Sequence, residues 1–155
     1  ANQAGRIAAL TMSDSFCIER HRADFRQWLG SGQIGLLFAN VAETKSLYET
    51  DDFDAACRAI ADAAPTVVVT MGGAGARIID KGAVVDVPAE PAEVVDLTGA
   101  GDLFAGGYML GHARGLPAAV CGKLGALAAA EVIGHVGARP QHSLKALADQ
   151  AGIAL

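Results

Sequence analysis

The residues with the clearest chemical potential are the seven from Asp96 to Asp102, Asp-Leu-Thr-Gly-Ala-Gly-Asp. Two of them, Gly99 and Gly101, stand at the start of a helix-forming stretch that runs from about Ala100 to Arg114. A glycine-rich turn opening a helix leaves main-chain N–H groups unpaired at the positive end of the helix dipole, which suits an anion. Glycine also lets a ligand approach the backbone where a side chain would block it. Asp102, directly after the glycines, would sit beside that anion. Amides that stabilise charge on a moving phosphoryl group, with a carboxylate that accepts a hydroxyl proton, are what phosphoryl transfer to an alcohol requires. A plainer reading stays open, in which the segment is a tight strand-to-helix turn and Asp102 only complements the dipole.

Three other places stand out along the chain. Asn40-Val-Ala-Glu43, an Asn with Glu three residues later, is a helix capping-box pattern. Thr70-Met-Gly-Gly-Ala-Gly75 is a glycine-rich loop after an apolar run, equally readable as an ordinary β-turn. Gly125 to Ala130 is rich in small residues, which allow close helix packing. Dinucleotide chemistry is not indicated. Phe104 stands where G-x-G-x-x-G needs its third glycine after Gly99, Ile78 stands there after Gly73, and Lys45-Ser46 lacks the glycine spacing of a P-loop.

The elements that must position these residues alternate. Apolar strand-like runs fall at Arg6 to Met12, Ile34 to Ala39 and Thr66 to Thr70, the last with three consecutive valines suited to a sheet covered on both faces. Helical patterns follow Asp14 (with Phe25, Trp28 and Leu29 at helical spacing), run from about Ala42 to Glu49, and run from Phe53 to Ala63 before Pro65. Ala76 to Asp80 and Ala83 to Val87 read as a hairpin around Lys81-Gly82. Pro117 suits the first position of an Ala-rich helix ending near Gly134 or Gly137, and Ser143 caps a last short one. The expectation is an α/β sheet with a mostly parallel start and a β-hairpin.

Composition bounds the alternatives. The formal net charge is −5 and no run of Lys and Arg appears, so the basic footprint of a nucleic-acid binder is missing. Cys17, Cys57 and Cys121 are odd in number, far apart and without a C-x-x-C pair; neither a disulfide framework nor a zinc site is expected, and a reducing cytoplasm is. His21, His112, His135 and His142 are scattered. No apolar run reaches the ~18 residues of a membrane span, so no membrane partner is expected.

With these residues in view, the chain resembles the ribokinase-like, or PfkB, kinases. Their second signature, Asp-Thr-x-Gly-Ala-Gly-Asp, is similar to Asp96–Asp102, with Leu97 in place of Thr. The resemblance implies that Asp102 is the catalytic base and that the amides of Gly99, Ala100 and Gly101 form the anion hole. It implies that Asn40 and Glu43 hold Mg²⁺ through its water shell. Thr70, Gly72 and Gly75 would border ATP together with Asn40 and Gly101, and Ala126 would border the adenine. Some members carry a monovalent-cation (K⁺) site; here Asp96, Thr98 and the backbone oxygens of Val132, His135 and Gly137 would supply it, with Gln141 where some members have Ser.

The resemblance also implies a ribokinase-like three-layer αβα architecture, of which residues 1–155 are the C-terminal ATP-binding and catalytic part. The N-terminal substrate and lid part would be absent, and with it the surface for a homodimer. The expected function is ATP-dependent phosphorylation of a primary hydroxyl on a sugar or nucleoside, and Ser13 to Ile18 resembles adenosine kinase-like members. The alternative is a catalytically silent nucleotide-binding or interaction module.

Overall fold

The computed structural model describes all of residues 1–155. Its sheet runs in the order β1-β2-β3-β4-β5, with β1 at Ala9–Thr11, β2 at Leu36–Asn40, β3 at Thr66–Thr70, β4 at Ala76–Asp80 and β5 at Ala83–Val87. β1 and β2 pair in parallel, as do β2 and β3. The direction then reverses. Lys81 N donates to Pro65 O at 2.8 Å and Thr66 Oγ1 donates to Asp80 Oδ1 at 2.7 Å, so the end of β4 lies beside the start of β3. Lys81 and Gly82, at φ 49° and 84°, turn β4 into β5 with both central residues left-handed, as a two-residue hairpin turn favours. The parallel start and the hairpin match the sequence expectation.

The chain forms two compact units, residues 1–71 with 77–84, and residues 72–76 with 85–155. In the first unit the parallel strands are joined by α1 (Ser15–Gly30), then by α2 (Val41–Tyr48) and α3 (Phe53–Ile60). Each helix starts on a side-chain cap: Asp14 accepts from Phe16 N, Asn40 from Glu43 N, and Asp52 from Asp54 N and Ala55 N. Such a cap satisfies an amide that the helix itself leaves orphaned. Leu37, Ala39, Val67 and Val69 alternate along β2 and β3 into one core with Ile18, Phe25, Leu29, Leu47 and Ile60. Their strand neighbours Leu36, Phe38 and Val68 point the other way and are buried too. That two-sided burial is why the strands read as unbroken apolar runs.

Some local expectations shift. β1 starts at Ala9 rather than Arg6, because residues Asn2–Ala4 form a 3₁₀ turn ended by Gly5 at φ 65° and Ile7 is exposed. Trp28 packs edge-on against Phe25 at 5.6 Å yet remains about half exposed.

The second unit is built on α4 (Ala100–Ala113), α5 (Ala118–Ile133) and α6 (Leu144–Gln150). α4 and α5 meet backbone to backbone. A Cβ on Gly107 would lie 2.5 Å from Leu124 O, and one on Gly125 would lie 2.8 Å from Phe104 O. Around this seam Phe104, Tyr108, Leu124, Ala128 and Val132 are buried. Pro117 precedes α5 as its cap, at ψ 147°, one position earlier than expected; its carbonyl accepts from Val120 N and Cys121 N.

Candidate active site

In the first unit the site residues gather at the carboxyl ends of β2 and β3, where open α/β sheets bind ligands. Asn40 and Thr70 are register partners across the two strands, and Thr70 Oγ1 donates to Ala39 O at 3.4 Å. Asn40 and Glu43 form a complete capping box: Asn40 Oδ1 accepts from Glu43 N at 2.8 Å and Glu43 Oε2 accepts from Asn40 N at 2.9 Å. Asn40 Nδ2 also donates to Glu43 Oε1 at 2.8 Å. Glu43 is only 5% exposed. Burial pushes its carboxyl above the ordinary range, the Asn40 amide pulls it partly back, and the charge of Asp14 raises it again.

Gly72 and Gly75 belong to the second unit. Gly72, at φ 58°, opens a 3₁₀ turn, and a Cβ there would meet nothing within 4 Å. Gly75 differs. A Cβ at its φ of 98° would fall 2.0 Å from Val87 O and 2.8 Å from Ala89 N. Its missing side chain is therefore explained by the passing 87–89 backbone.

The Asp96–Asp102 turn is tied down from two sides. Val95 N and Asp96 N donate to Ile133 O at 2.8 and 3.3 Å. Asp96 Oδ1 accepts from Thr98 N and Thr98 Oγ1 at 2.9 and 2.7 Å, and Oδ2 accepts from Gly137 N at 2.8 Å. The Thr98 hydroxyl first, then the Gly137 and Thr98 amides, hold the Asp96 carboxyl below its ordinary value. Asp96, Thr98 and Gly137 are thus brought together. Of the three residues expected to offer backbone oxygens, Val132 lies fully buried in α5, and His135 and Gly137 follow that helix.

Gly99 caps α4 at φ 83°, ψ −1°, with no side-chain cap, and its missing Cβ would lie 2.6 Å from Ala138 Cβ. Of the three amides expected to form an anion hole, that of Ala100 donates to Leu97 O at 3.2 Å. Those of Gly99 and Gly101 carry no acceptor within the chain. A Cβ on Gly101 would meet nothing within 4 Å, so its backbone is open to a ligand. Asp102 lies exposed in the first turn of α4. Ala126 is 4% exposed, which leaves little of its methyl for a base to touch and accords with helix packing.

Two connections escape a reading of the sequence. Lys123 on α5 pairs with Glu90, fastening the segment that leads to the turn. Glu131, near the end of α5, accepts from the amides of Gln141 and His142. Burial alone would raise its carboxyl, but these donors outweigh it and lower it. The one available signal was an acid near the end of an otherwise apolar helix. No group of three or more His, Cys, Asp or Glu side chains could hold a metal, and no helix is long and apolar enough to cross a membrane.

A mixed sheet with a parallel start, its strands joined by capped helices, describes an α/β protein. Residues 1–145 match the family described as pfkB family carbohydrate kinase, and the chain belongs to that family of sugar and nucleoside kinases. Among solved structures it is similar to a probable sugar kinase from Rhizobium etli CFN 42, at TM-score 0.95 and 46% identity, covering 98% of this chain and 46% of that one. It is also similar to the adenosine kinase from Sinorhizobium meliloti, at TM-score 0.94 and 43% identity, covering 97% and 46%. The fold is therefore the ribokinase-like α/β fold, present in part. A cytidine kinase from Thermococcus kodakarensis is 36% identical over 105 residues, 65% of this chain and 37% of that protein. The chain thus spans less than half the length of these relatives.

Proposed function

We propose that residues 1–155 are the ATP-binding and catalytic part of a kinase that moves the γ-phosphoryl group of ATP to a primary hydroxyl of a sugar or nucleoside. The observation that carries this is the start of α4. There the Gly99 and Gly101 amides have no internal acceptor, and the Asp102 carboxylate is exposed one residue further on. Donors at the positive end of a helix and an open glycine backbone fit a phosphate chain. When bound, ATP supplies the transferable phosphoryl group and Mg²⁺ offsets its charge. Asp102 accepts the hydroxyl proton, while the Gly99 and Gly101 amides stabilise charge on the transferred group.

Asn40 and Glu43 already bond each other, which favours holding the magnesium ion through water rather than directly. Thr70 and Gly72 border the nucleotide. Asp96, Thr98 and the oxygens of Val132, His135 and Gly137 suit a K⁺ ion. On this reading the acceptor-binding and lid parts lie outside residues 1–155.

The test is made on the full-length enzyme with ATP and adenosine, cytidine, ribose or fructose. Asp102→Asn should retain ATP binding and lose about 10²- to 10⁴-fold in turnover, the usual weight of a general base. Near-normal turnover would remove Asp102 from that role. ATP binding without phosphorylation of any alcohol by the unmodified enzyme would favour a silent nucleotide-binding module.

A further inference from the structure

Glu131 lies in the last turn of α5, at the negative end of the helix dipole, where a carboxylate is disfavoured. Its side chain is nevertheless only 6% exposed. A buried acid at such a position demands compensation, and the loop that follows supplies it. Glu131 Oε1 accepts from Gln141 N and His142 N, both at 2.8 Å. It also lies 3.2 Å from His142 Nδ1 and 3.5 Å from His135 Nε2. One oxygen atom thus closes residues 134–142 into a ring on the end of the helix. The other oxygen, Oε2, is buried without a partner, a cost tolerated for the clamp.

The clamped loop reaches the α4 turn at two points. Gly137 N donates to Asp96 Oδ2 at 2.8 Å. Ala138 lies so close to Gly99 that a Cβ there would come within 3.1 Å of the Ala138 Cα. The backbone of Gly99 has left-handed freedom, so something outside it must fix where its amide points.

We propose that Glu131 is a positioning residue: by holding loop 134–142 it keeps Gly137 and Ala138 against the Asp96–Gly99 turn and fixes the direction of the amides that open α4. The inference rests on the reading above only in taking those amides to receive the phosphate chain. A role confined to the 141–142 end of the loop, where Glu131 bonds it, would affect the amides of Gln141 and His142 alone. The positioning role must also reach Gly137, whose N–H is bonded to Asp96 rather than to Glu131.

The experiment compares Glu131→Ala and Glu131→Gln with the unmodified full-length protein. Amide hydrogen exchange is followed by NMR, and KM for ATP is measured separately from kcat. In Glu131→Ala the Gly137, Gln141 and His142 amides should all exchange about tenfold faster, the weight of one hydrogen bond, while β2 and β3 amides keep their rates. KM for ATP should rise about tenfold with kcat changed far less. Glu131→Gln keeps an acceptor for both loop amides and should recover most of each effect. Unchanged exchange at Gly137, a rise shared equally by β2 and β3, or a Gln variant no better than Ala would each overturn the proposal. If the unmodified protein phosphorylates nothing, the kinase reading fails while the exchange pattern still decides the role of Glu131.

Discussion

Gly106 and Gly107 are neighbours in α4, yet alanine should act on them with opposite signs. A Cβ on Gly106 meets nothing within 4 Å. Alanine there only removes the backbone freedom of a mid-helix glycine, a gain of about 1 kcal/mol. A Cβ on Gly107 would lie 2.5 Å from Leu124 O, 2.8 Å from Leu124 C and 3.0 Å from Gly125 Cα. All three are backbone atoms of α5, which cannot rotate aside. Relaxing 2.5 Å to an ordinary contact of 3.4 Å parts the helices by about 0.9 Å. That separation also strips contacts from Gly111, whose missing Cβ would lie 3.0 Å from Cys121 Sγ. The upper end of the overpacking range, about 3 kcal/mol, applies. The same propensity gain of about 1 kcal/mol offsets part of it, leaving Gly107→Ala destabilised by about 2 kcal/mol. Urea denaturation of the two variants, with m-values compared to confirm an unchanged transition, measures both effects. A Gly107→Ala protein as stable as the unmodified one, or both variants shifting in the same direction, would refute the backbone-to-backbone account of the seam.

Two further outcomes follow from the sites at the strand and helix ends. Burial raises the Glu43 carboxyl above the ordinary value of 4.5. Its ionisation therefore opposes folding, and relative to Glu43→Gln the unmodified protein should lose stability as pH rises from about 4.5. A stability difference that stays constant from pH 4 to 8 would contradict this. Gly99→Ala places an alanine at φ 83°, costing about 1–2 kcal/mol, and drives its Cβ into that of Ala138; calorimetry should show weakened ATP binding, and unchanged affinity would remove Gly99 from the phosphate turn.

The parallel core was legible because its pattern is local. Val67 to Val69 announce a strand buried on both faces, Asp14 and Ser143 announce helix starts, and Lys81-Gly82 announces a two-residue turn. Each signal is read within a few residues of where it acts. Glu131 gave no comparable pattern, since its partners lie ten and eleven residues away and are backbone amides, which carry no residue identity. The Lys123–Glu90 pair spans 33 residues and is equally silent in one dimension.

Glycine is the instructive case, because one residue type serves two opposite purposes. Gly72 and Gly101 leave backbone open, as a ligand would need, whereas Gly75 and Gly107 are filled from behind by passing main chain. In sequence all four look alike. Gly99 does both: its Cβ side is closed by Ala138, and its N–H is left without an acceptor. A glycine closed on one side and free on the other is held in place rather than merely permitted, and that restraint is what an amide must have if it is to meet developing charge without reorganising first.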